Sequence, residues 1–253
     1  MSSVTVIAEV AGCHDGDLTK AIDLIKQAKD IGADVVKFQW VSNPERLVER
    51  RRAPEYLEAY RTIAFNPQWF PILATYCNAI GIEFMCTSYL PEDIRVVNLY
   101  VKRFKVSSFE ASDKLFLDAH REFDKPLLVS LGMGQKPAGR GDTYIHCVSA
   151  YPAKECDMNL GILRAGYLGL SDHTKHPWMG ALAVAAGAQI IEFHMRLYNT
   201  SETNADFVVA RDHLQATTYI NNIRFAEMVL GDALRRSMPC EKEMEAYKVE
   251  ASI

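Results

Sequence analysis

The stretch QIIEFHM, residues 189–195, has the composition of a buried β-strand, yet it ends in Glu192 and His194. Carboxylates and imidazoles are costly to bury without partners. A single histidine in such a position is most often a hydrogen-bonded core residue. The stretch therefore gains a functional meaning only if other strands of the same sheet end in the same way.

Short β-rich runs of this kind alternate with helical patterns along the whole chain. Each return to the same strand direction needs a crossover, so this alternation predicts an α/β protein with parallel pairing. A closed (β/α)8 TIM barrel is the economical arrangement for eight such units in 253 residues. The predicted strands are 3–10, 33–40, 82–88, 103–108, 126–133, 143–149, 167–173 and 189–195, and the predicted helices are 18–32, 67–81, 91–101, 113–123, 178–188 and 212–232.

One crossover lacks a helical pattern. Residues 134–142, GQKPAGRGD, join strands five and six and are too short and too rich in Gly, Pro and charge for a crossover helix of about 10–12 residues. Either the fifth helix is deleted or one of the two strands is misassigned, and the apolar, β-branched flanks favour deletion. The outer sides of strands five and six would then need cover from a neighbouring subunit.

Polar side chains gather at the C-terminal ends of the eight predicted strands, whereas the N-terminal halves are almost purely apolar. In a parallel barrel these ends converge on one mouth, where barrel enzymes place their chemistry. The set therefore predicts an active site. It consists of Glu9, Lys37, Gln39, Thr87, Lys105, Ser107, Ser108, Glu110, Ser130, His146, Ser149, Tyr151, Asp172, His173, Glu192 and His194.

Two lysines in this set point to an anion. Lys37 and Lys105 end neighbouring regions of the sheet, and serine hydroxyls beside them add directional donors. Such a combination predicts a site for phosphate or carboxylate. The alternative is that each lysine merely pairs with Glu9 or Glu110.

Two histidines point to a metal. His173 and His194 end adjacent strands, so their imidazoles can reach a common point, and neutral imidazole is the commonest transition-metal ligand. Two histidines leave positions open for water and substrate, which suits a catalytic Lewis acid better than a structural metal. The alternative is that both are ordinary buried histidines.

Composition narrows the class of protein. The net charge of −4 and pI of about 6.0 give no general affinity for nucleic acid or an anionic membrane. The basic run RLVERRR, residues 46–52, is interleaved with glutamates and is interpreted as a solvated helical face. Six scattered cysteines indicate a reducing cytoplasm, and no export signal or membrane span is recognisable.

Eight motifs in order make the sequence resemble a known family. They are IAEVAGCHDG (7–16), GADVVKFQ (32–39), CTS (86–88), FKVSSFEASDKLFL (104–117), KPLLVSLGMG (125–134), HCVSAYP (146–152), GLSDHT (169–174) and GAQIIEFHM (187–195). Together they resemble the sialic acid synthase family, which includes N-acetylneuraminate, legionaminate and pseudaminate synthases. The resemblance implies a (β/α)8 barrel that condenses phosphoenolpyruvate with an N-acetylated amino-sugar aldehyde, such as N-acetylmannosamine, to a nonulosonic acid and releases phosphate.

The resemblance also implies roles for individual residues. His173 and His194 match the family's ligands of a divalent metal, with Mn²⁺ expected and Mg²⁺ or Co²⁺ as alternatives. Glu9 and Glu110 match its acidic groups near the reacting carbons, and Asp206 falls close to its sugar-binding aspartate. The residues that match its substrate contacts are Lys37, Gln39, Thr87, Lys105, Ser108, Ser149 and Tyr151.

The sequence also departs from the family pattern. Cys13 stands where an asparagine is usual, and the barrel (1–235) is followed only by a charged tail (236–253), without the family's small antifreeze-like domain. That domain lends an arginine to the partner's sugar site, so we expect a homo-oligomer or a separate chain that supplies it. Two alternatives remain: a synthase for another aldose, including a phosphorylated one held by the arginines of the basic run, or an inactive barrel that acts as a binding subunit.

Overall fold

The computed structural model describes residues 3–138 and 141–249. Its strands form a closed barrel in sequential order, and neighbouring strands run parallel. The barrel closes where the eighth strand pairs with the first, so the predicted (β/α)8 barrel is confirmed. The strands are β1 (Thr5–Ala11), β2 (Val35–Trp40), β3 (Glu83–Ser88), β4 (Phe104–Val106), β5 (Leu127–Leu131), β6 (Thr143–Cys147), β7 (Gly169–Asp172) and β8 (Ile190–His194).

The helices lie outside the barrel, and the first shows how the sequence specifies them. The Asp17 side chain accepts a hydrogen bond from the Thr19 N–H at 2.7 Å and caps the helix, which is followed by Gly32 at a φ of 86°. The α-helices are α1 (Leu18–Asp30), α2 (Pro44–Arg51), α3 (Leu57–Ile63), α4 (Trp69–Ile80), α5 (Ile94–Asn98), α6 (Lys114–Arg121), α7 (Met179–Ala185) and α8 (His213–Leu230).

Two crossovers differ from the regular pattern. Between β2 and β3, helices α2 and α3 precede α4; the sequence predicted the helix over residues 67–81 and a helical face over residues 46–52, but not α3. Between β6 and β7, the chain forms two 3-10 helices, Glu155–Asp157 and Leu160–Ala165, and no α-helix. The first of these insertions lies over the barrel mouth and contributes to the site described below.

The fifth crossover contains no helix in its described part, which supports deletion; residues 139 and 140 lie outside the described residues. The loop is anchored to the barrel, because Tyr144 Oη accepts a hydrogen bond from the Ala138 N–H at 3.1 Å. The expectation that a neighbouring subunit must cover this side is wrong. Leu127, Val129 and Leu131 are already buried, in an apolar cluster that also contains Phe116 of α6.

Two residues assigned to the barrel mouth by sequence face outward instead. His146 contacts the Met158 carbonyl at 2.8 Å through Nε2. Asp172 is fully buried, and its Oδ2 accepts hydrogen bonds from Arg211 Nη2 at 2.9 Å and from the Tyr219 hydroxyl at 2.7 Å. Successive side chains of a strand point to opposite faces, which is why these neighbours of inward residues turn away. Asp172 therefore fastens α8 to β7.

The chain beyond α8 is exposed as far as residue 249 and forms two 3-10 turns, Pro239–Glu241 and Glu245–Tyr247. Residues 250–253 of the predicted tail lie outside the described residues. The division at residue 235 stays a prediction. None of the described helices combines the length and the apolar character that crossing a membrane requires.

The ion pair between Arg211 and Asp172 gives a stability prediction. Both side chains are almost completely buried, so Arg211→Met leaves an unpaired carboxylate in the protein interior. We expect the free energy of unfolding to fall by about 3–5 kcal/mol. Urea denaturation measures it, with Arg236→Met as control: Arg236 pairs with Asp232 on the surface, so its loss should cost about 1 kcal/mol or less. Equal effects of the two substitutions would contradict the structural role of Asp172.

Candidate active site

The barrel interior is layered. Inward side chains from the lower parts of the strands form a small apolar cluster of Ile7, Val35, Met85, Leu128 and Ile145. Two residues further along β1, β2 and β8, the inward positions are charged. The barrel core is therefore closed from below by apolar packing, and its polar groups face the C-terminal mouth.

A cavity of about 380 Å³ lies above this apolar layer. Four of the predicted site residues do not line it: His146 and Asp172 face outward, and Glu110 and Ser149 lie beside the cavity. Ser149 still reaches the wall indirectly, since its hydroxyl is 2.8 Å from that of Ser108. The predicted residues on the wall are Glu9, Lys37, Gln39, Thr87, Lys105, Ser107, Ser108, Ser130, Tyr151, His173, Glu192, His194 and Asp206.

Four buried charges lie at the base of the cavity. Lys37 Nζ contacts a carboxylate oxygen of Glu9 and lies 3.6 Å from Glu192 Oε2, and Lys105 Nζ lies 3.6 Å from Glu192 Oε1. Burial alone would lower the pKa of Lys37, but Glu192 and Glu9 outweigh it and raise that pKa. The alternative that the lysines pair with carboxylates is thus partly realised, with Glu192 in place of Glu110.

Lys105 is less fully compensated than Lys37. Burial lowers its pKa, and Glu192 opposes that effect only in part. Its Nζ also donates hydrogen bonds to the Ser130 hydroxyl at 2.8 Å and to the Val106 carbonyl at 3.3 Å. A buried ammonium group with one shared carboxylate would gain from a further negative charge, so this end of the cavity favours an anion.

The imidazole rings of His173 and His194 lie 5.4 Å apart between centroids, with Tyr151 packed against both. His173 Nδ1 lies 2.6 Å from the Val148 carbonyl, which accepts its proton and leaves Nε2 free of a backbone partner. Burial and the neighbouring His194 lower the pKa of His173 to about 3, so this ring is neutral. Neutral imidazole with a fixed tautomer is the form that binds metals.

His194 is held by a carboxylate. Its Nδ1 lies 3.3 Å from Asp206 Oδ1, close enough for charge attraction though not aligned as a hydrogen bond. Burial alone would lower the pKa of His194, but Asp206 raises it. A carboxylate behind an imidazole is a common arrangement at metal sites. Among the described residues, no group of three or more His, Cys, Asp or Glu side chains is arranged to hold a metal ion.

Arg51 is the main residue that sequence reasoning missed. It belongs to the basic run interpreted as a solvated face, yet its side chain lines the cavity and is mostly buried. Its Nε and Nη2 donate to Oε1 and Oε2 of Glu110, both at 2.8 Å. The guanidinium carbon lies 4.7 Å from the centroid of Tyr89 and 4.8 Å from that of Phe109. No local signal separates Arg51 from its exposed neighbours, because Glu110 is distant in sequence.

Comparison with known proteins places this site in a family. The profile of the NeuB family matches residues 24–235. The chain belongs to the NeuB family. It is 30% identical to N,N'-diacetyllegionaminic acid synthase of Legionella pneumophila, over 96% of this chain and 78% of that one, and 26% identical to human N-acetylneuraminate-9-phosphate synthase, over 93% and 74%.

The fold agrees with this membership. The structure of N-acetylneuraminic acid synthetase from Leptospira borgpetersenii, solved with citrate, matches with a TM-score of 0.84 at 24% identity and covers 97% of this chain and 91% of that one. The resemblance to the sialic acid synthase family is thereby confirmed. The NeuB match includes every predicted site residue except Glu9, which precedes residue 24.

The four buried charges at the base of the cavity give a second stability prediction. Burial raises the pKa of Glu192, and Lys37→Met removes one of the two lysines that lower it. We expect the free energy of unfolding at neutral pH to fall by about 3–5 kcal/mol, measured by urea denaturation. The exposed Lys26→Met serves as control and should change it by less than about 1 kcal/mol.

The difference should depend on pH. Because folding lowers the pKa of Glu192, its carboxylate stabilises the folded state at pH values above its ordinary pKa of 4.5. That stabilisation is lost as the pH falls through the lowered pKa. Since Lys37→Met removes part of this contribution, the gap between wild type and variant should be widest near neutrality and narrow below pH 4.5. A difference in the free energy of unfolding that grows as the pH falls would contradict the pairing of Lys37 with Glu192.

Proposed function

We propose that this chain condenses phosphoenolpyruvate with the open-chain aldehyde of an N-acetylated amino sugar, forming a nonulosonic acid and releasing phosphate. The observation that carries the proposal is the presence of two buried lysines and two oriented histidines around one cavity at the barrel mouth. The names of the NeuB-family relatives support the class of product.

Phosphoenolpyruvate carries a phosphate and a carboxylate, which suits the base of the cavity. The charge of Lys105 is less fully compensated by carboxylates than that of Lys37. The hydroxyls of Ser108 and Ser130 lie beside Lys105 and can donate hydrogen bonds to an anion. Lys37 donates to Thr87 Oγ1 at 3.2 Å, which keeps its ammonium group fixed. Fixed donors on rigid strands hold the reacting carbons in place without a conformational search.

His173 and His194 fit a divalent metal, since each ring has an acceptor or carboxylate at Nδ1 and directs its other nitrogen away from that partner. A bound Mn²⁺, the metal we propose, would supply Lewis-acid polarisation of the aldehyde. Asp206 favours the protonated form of His194 in the metal-free protein, so metal binding should release that proton.

The proposed reaction requires that a proton be removed from the attacking water. The C3 carbon of phosphoenolpyruvate forms a bond to the aldehyde carbon as its double bond to C2 and the aldehyde double bond to oxygen open. Water adds to C2, phosphate leaves with cleavage of the bond between its oxygen and C2, and C2 becomes a ketone carbon. The two protons of the water end on the former aldehyde oxygen and on the phosphate. The water must lose a proton as it adds. Glu110 is the proposed acceptor, but it lies beside the cavity and is held by Arg51. The Ser107 hydroxyl lines the cavity and donates to Glu110, so it can relay the proton to that carboxylate.

Substitution of the histidines tests the proposal. We expect His173→Ala and His194→Ala each to lower phosphate release from phosphoenolpyruvate and N-acetylated aldoses by at least about a thousandfold, comparable to the loss of a major electrostatic group. Circular dichroism should show an intact fold, and the exposed His213→Ala should keep full activity. Removal of metal with a chelator should abolish activity, and Mn²⁺ should restore it. Near-normal turnover of either histidine variant at saturating Mn²⁺ would exclude the metal role.

A further inference from the structure

The fifth crossover reaches the end of the cavity beside Lys105 through one side chain. Gln135 follows β5 in the connection whose described part contains no helix. Its Nε2 donates hydrogen bonds to the Ser108 carbonyl at 2.8 Å and to the Ser112 hydroxyl at 3.0 Å. Its Oε1 accepts a hydrogen bond from the Gly132 N–H at 3.1 Å. The amide group thus bridges the end of β5 and the turn that follows β4.

These hydrogen bonds fix the orientation of the Gln135 amide group. Such a group has two N–H donors and one carbonyl oxygen, and each of them has a complementary partner here. The reverse orientation would place the amide oxygen against the Ser108 carbonyl and an amide N–H against the Gly132 N–H, so both contacts would become repulsive. The amide group therefore has one position, and it can hold another residue in place.

The backbone of Gln135 is fixed as well. Its N–H donates to the Gly132 carbonyl at 2.9 Å, which closes a tight turn that contains Gly134 at a φ of 77°. Glycine adopts this left-handed conformation without strain. The Tyr167 hydroxyl donates to the Gln135 carbonyl at 3.3 Å. Because the turn and the tyrosine both hold the backbone, the side chain of Gln135 extends from a rigid base.

Ser108 needs such support because it lies beyond the paired part of the sheet. β4 and β5 pair as far as Val106 and Val129, and Ser108 follows after that point. The Ser108 hydroxyl lines the cavity and lies 2.8 Å from the hydroxyl of Ser149. Ser108 is therefore held at its side chain by Ser149 and at its carbonyl by Gln135.

Ser149 packs against the start of the same crossover. A β-carbon added to Gly132 would overlap Ser149 Oγ and would lie 3.1 Å from Cys147 Sγ, so only glycine allows the backbone to approach these side chains so closely. The fifth crossover thus acts on Ser108 by two routes. Gly132 supports Ser149, which contacts the Ser108 hydroxyl, and Gln135 binds the Ser108 carbonyl directly.

We propose that Gln135 is a positioning residue: by holding the Ser108 carbonyl, it sets the position of the Ser108 hydroxyl that meets an anion bound beside Lys105. The described residues on the cavity wall include Ser108 and Lys105 but not Gln135, so Gln135 acts through Ser108. The inference rests on the proposed function only for the identity of the anion, which is phosphoenolpyruvate. The connection without a helix is then a functional part of the site.

Replacement of Gln135 by methionine tests this role. Gln135→Met retains the length of the side chain and removes its hydrogen bonds without adding charge. A hydrogen bond to a charged group corresponds to about 10- to 150-fold in affinity, and a displaced Ser108 hydroxyl loses part of it. We expect calorimetry to show about tenfold weaker binding of phosphoenolpyruvate and of inorganic phosphate. Turnover should show a matching rise in KM for phosphoenolpyruvate and an unchanged KM for N-acetylmannosamine.

Two controls separate positioning from a merely structural role. Gln27→Met is the matched variant, because Gln27 Nε2 donates to the carbonyl of Arg196, which follows β8 on the opposite side of the barrel. It should leave the affinity for both anions unchanged. In a Ser108→Ala background, Gln135→Met should cause no further loss of affinity, since no hydroxyl remains to be positioned. Gln135→Ala repeats the test with a smaller side chain, and circular dichroism checks the fold of each variant.

The inference and the proposed function fail in different ways. Weaker anion binding by Gln135→Met, without phosphate release by the wild-type chain from any N-acetylated aldose, would support the inference and contradict the proposed function. Unchanged anion affinity in folded Gln135→Met and Gln135→Ala, even with a lower stability in urea, would overturn the inference while turnover upheld the reaction. An equal further loss in the Ser108→Ala background would also overturn it. A wild-type chain that binds neither anion would overturn both.

Discussion

The structure depends on the pairing of four charges inside the barrel. Lys37 lies between Glu9 and Glu192, and Glu192 is shared with Lys105. These side chains come from β1, β2, β4 and β8, so their pairing requires that the barrel close in one register. Glu9 stands opposite both Lys37 and His194 in the strand pairing. A slip of one residue in any of these strands would turn a buried charge toward the apolar outer layer, which is prohibitively costly.

Irregular connections are tolerated because they lie outside this constraint. The fifth crossover needs no helix, since the outward side chains of β5 are buried by the chain itself and the loop is fixed to nearby side chains. The Gln135 side chain of this loop donates to the Ser108 carbonyl at 2.8 Å and so supports the part of the cavity wall that Ser108 forms. A shortened connection can therefore still contribute to the rigidity of the site.

The sequence predicted the inner part of the site well and the outer part poorly, for a physical reason. Polar residues at strand ends have a period of two, so Lys37, Lys105 and His194 could be placed at the mouth from their positions alone. The same reasoning included His146 and Asp172 in error, because a position one residue away faces outward. Arg51 could not be distinguished from the other arginines of the basic run, since a helical run of alternating charge looks the same whether its side chains are solvated or buried against a remote carboxylate.

The inner and outer parts of the cavity wall therefore differ in how freely their residues can change. The base of the cavity is built from strand residues that the closed sheet holds rigid, and a change there would disturb neutralised buried charges as well as chemistry. The outer wall is built from an inserted segment whose residues, such as Ala59 and Ile63, carry no such constraint. We therefore expect substitutions in the insertion to change the lining of the outer cavity without disturbing the buried charges at its base. The Arg51–Glu110 pair links the two parts of the wall. Arg51 belongs to the insertion, and it holds in place the Glu110 carboxylate that we propose accepts the proton of water.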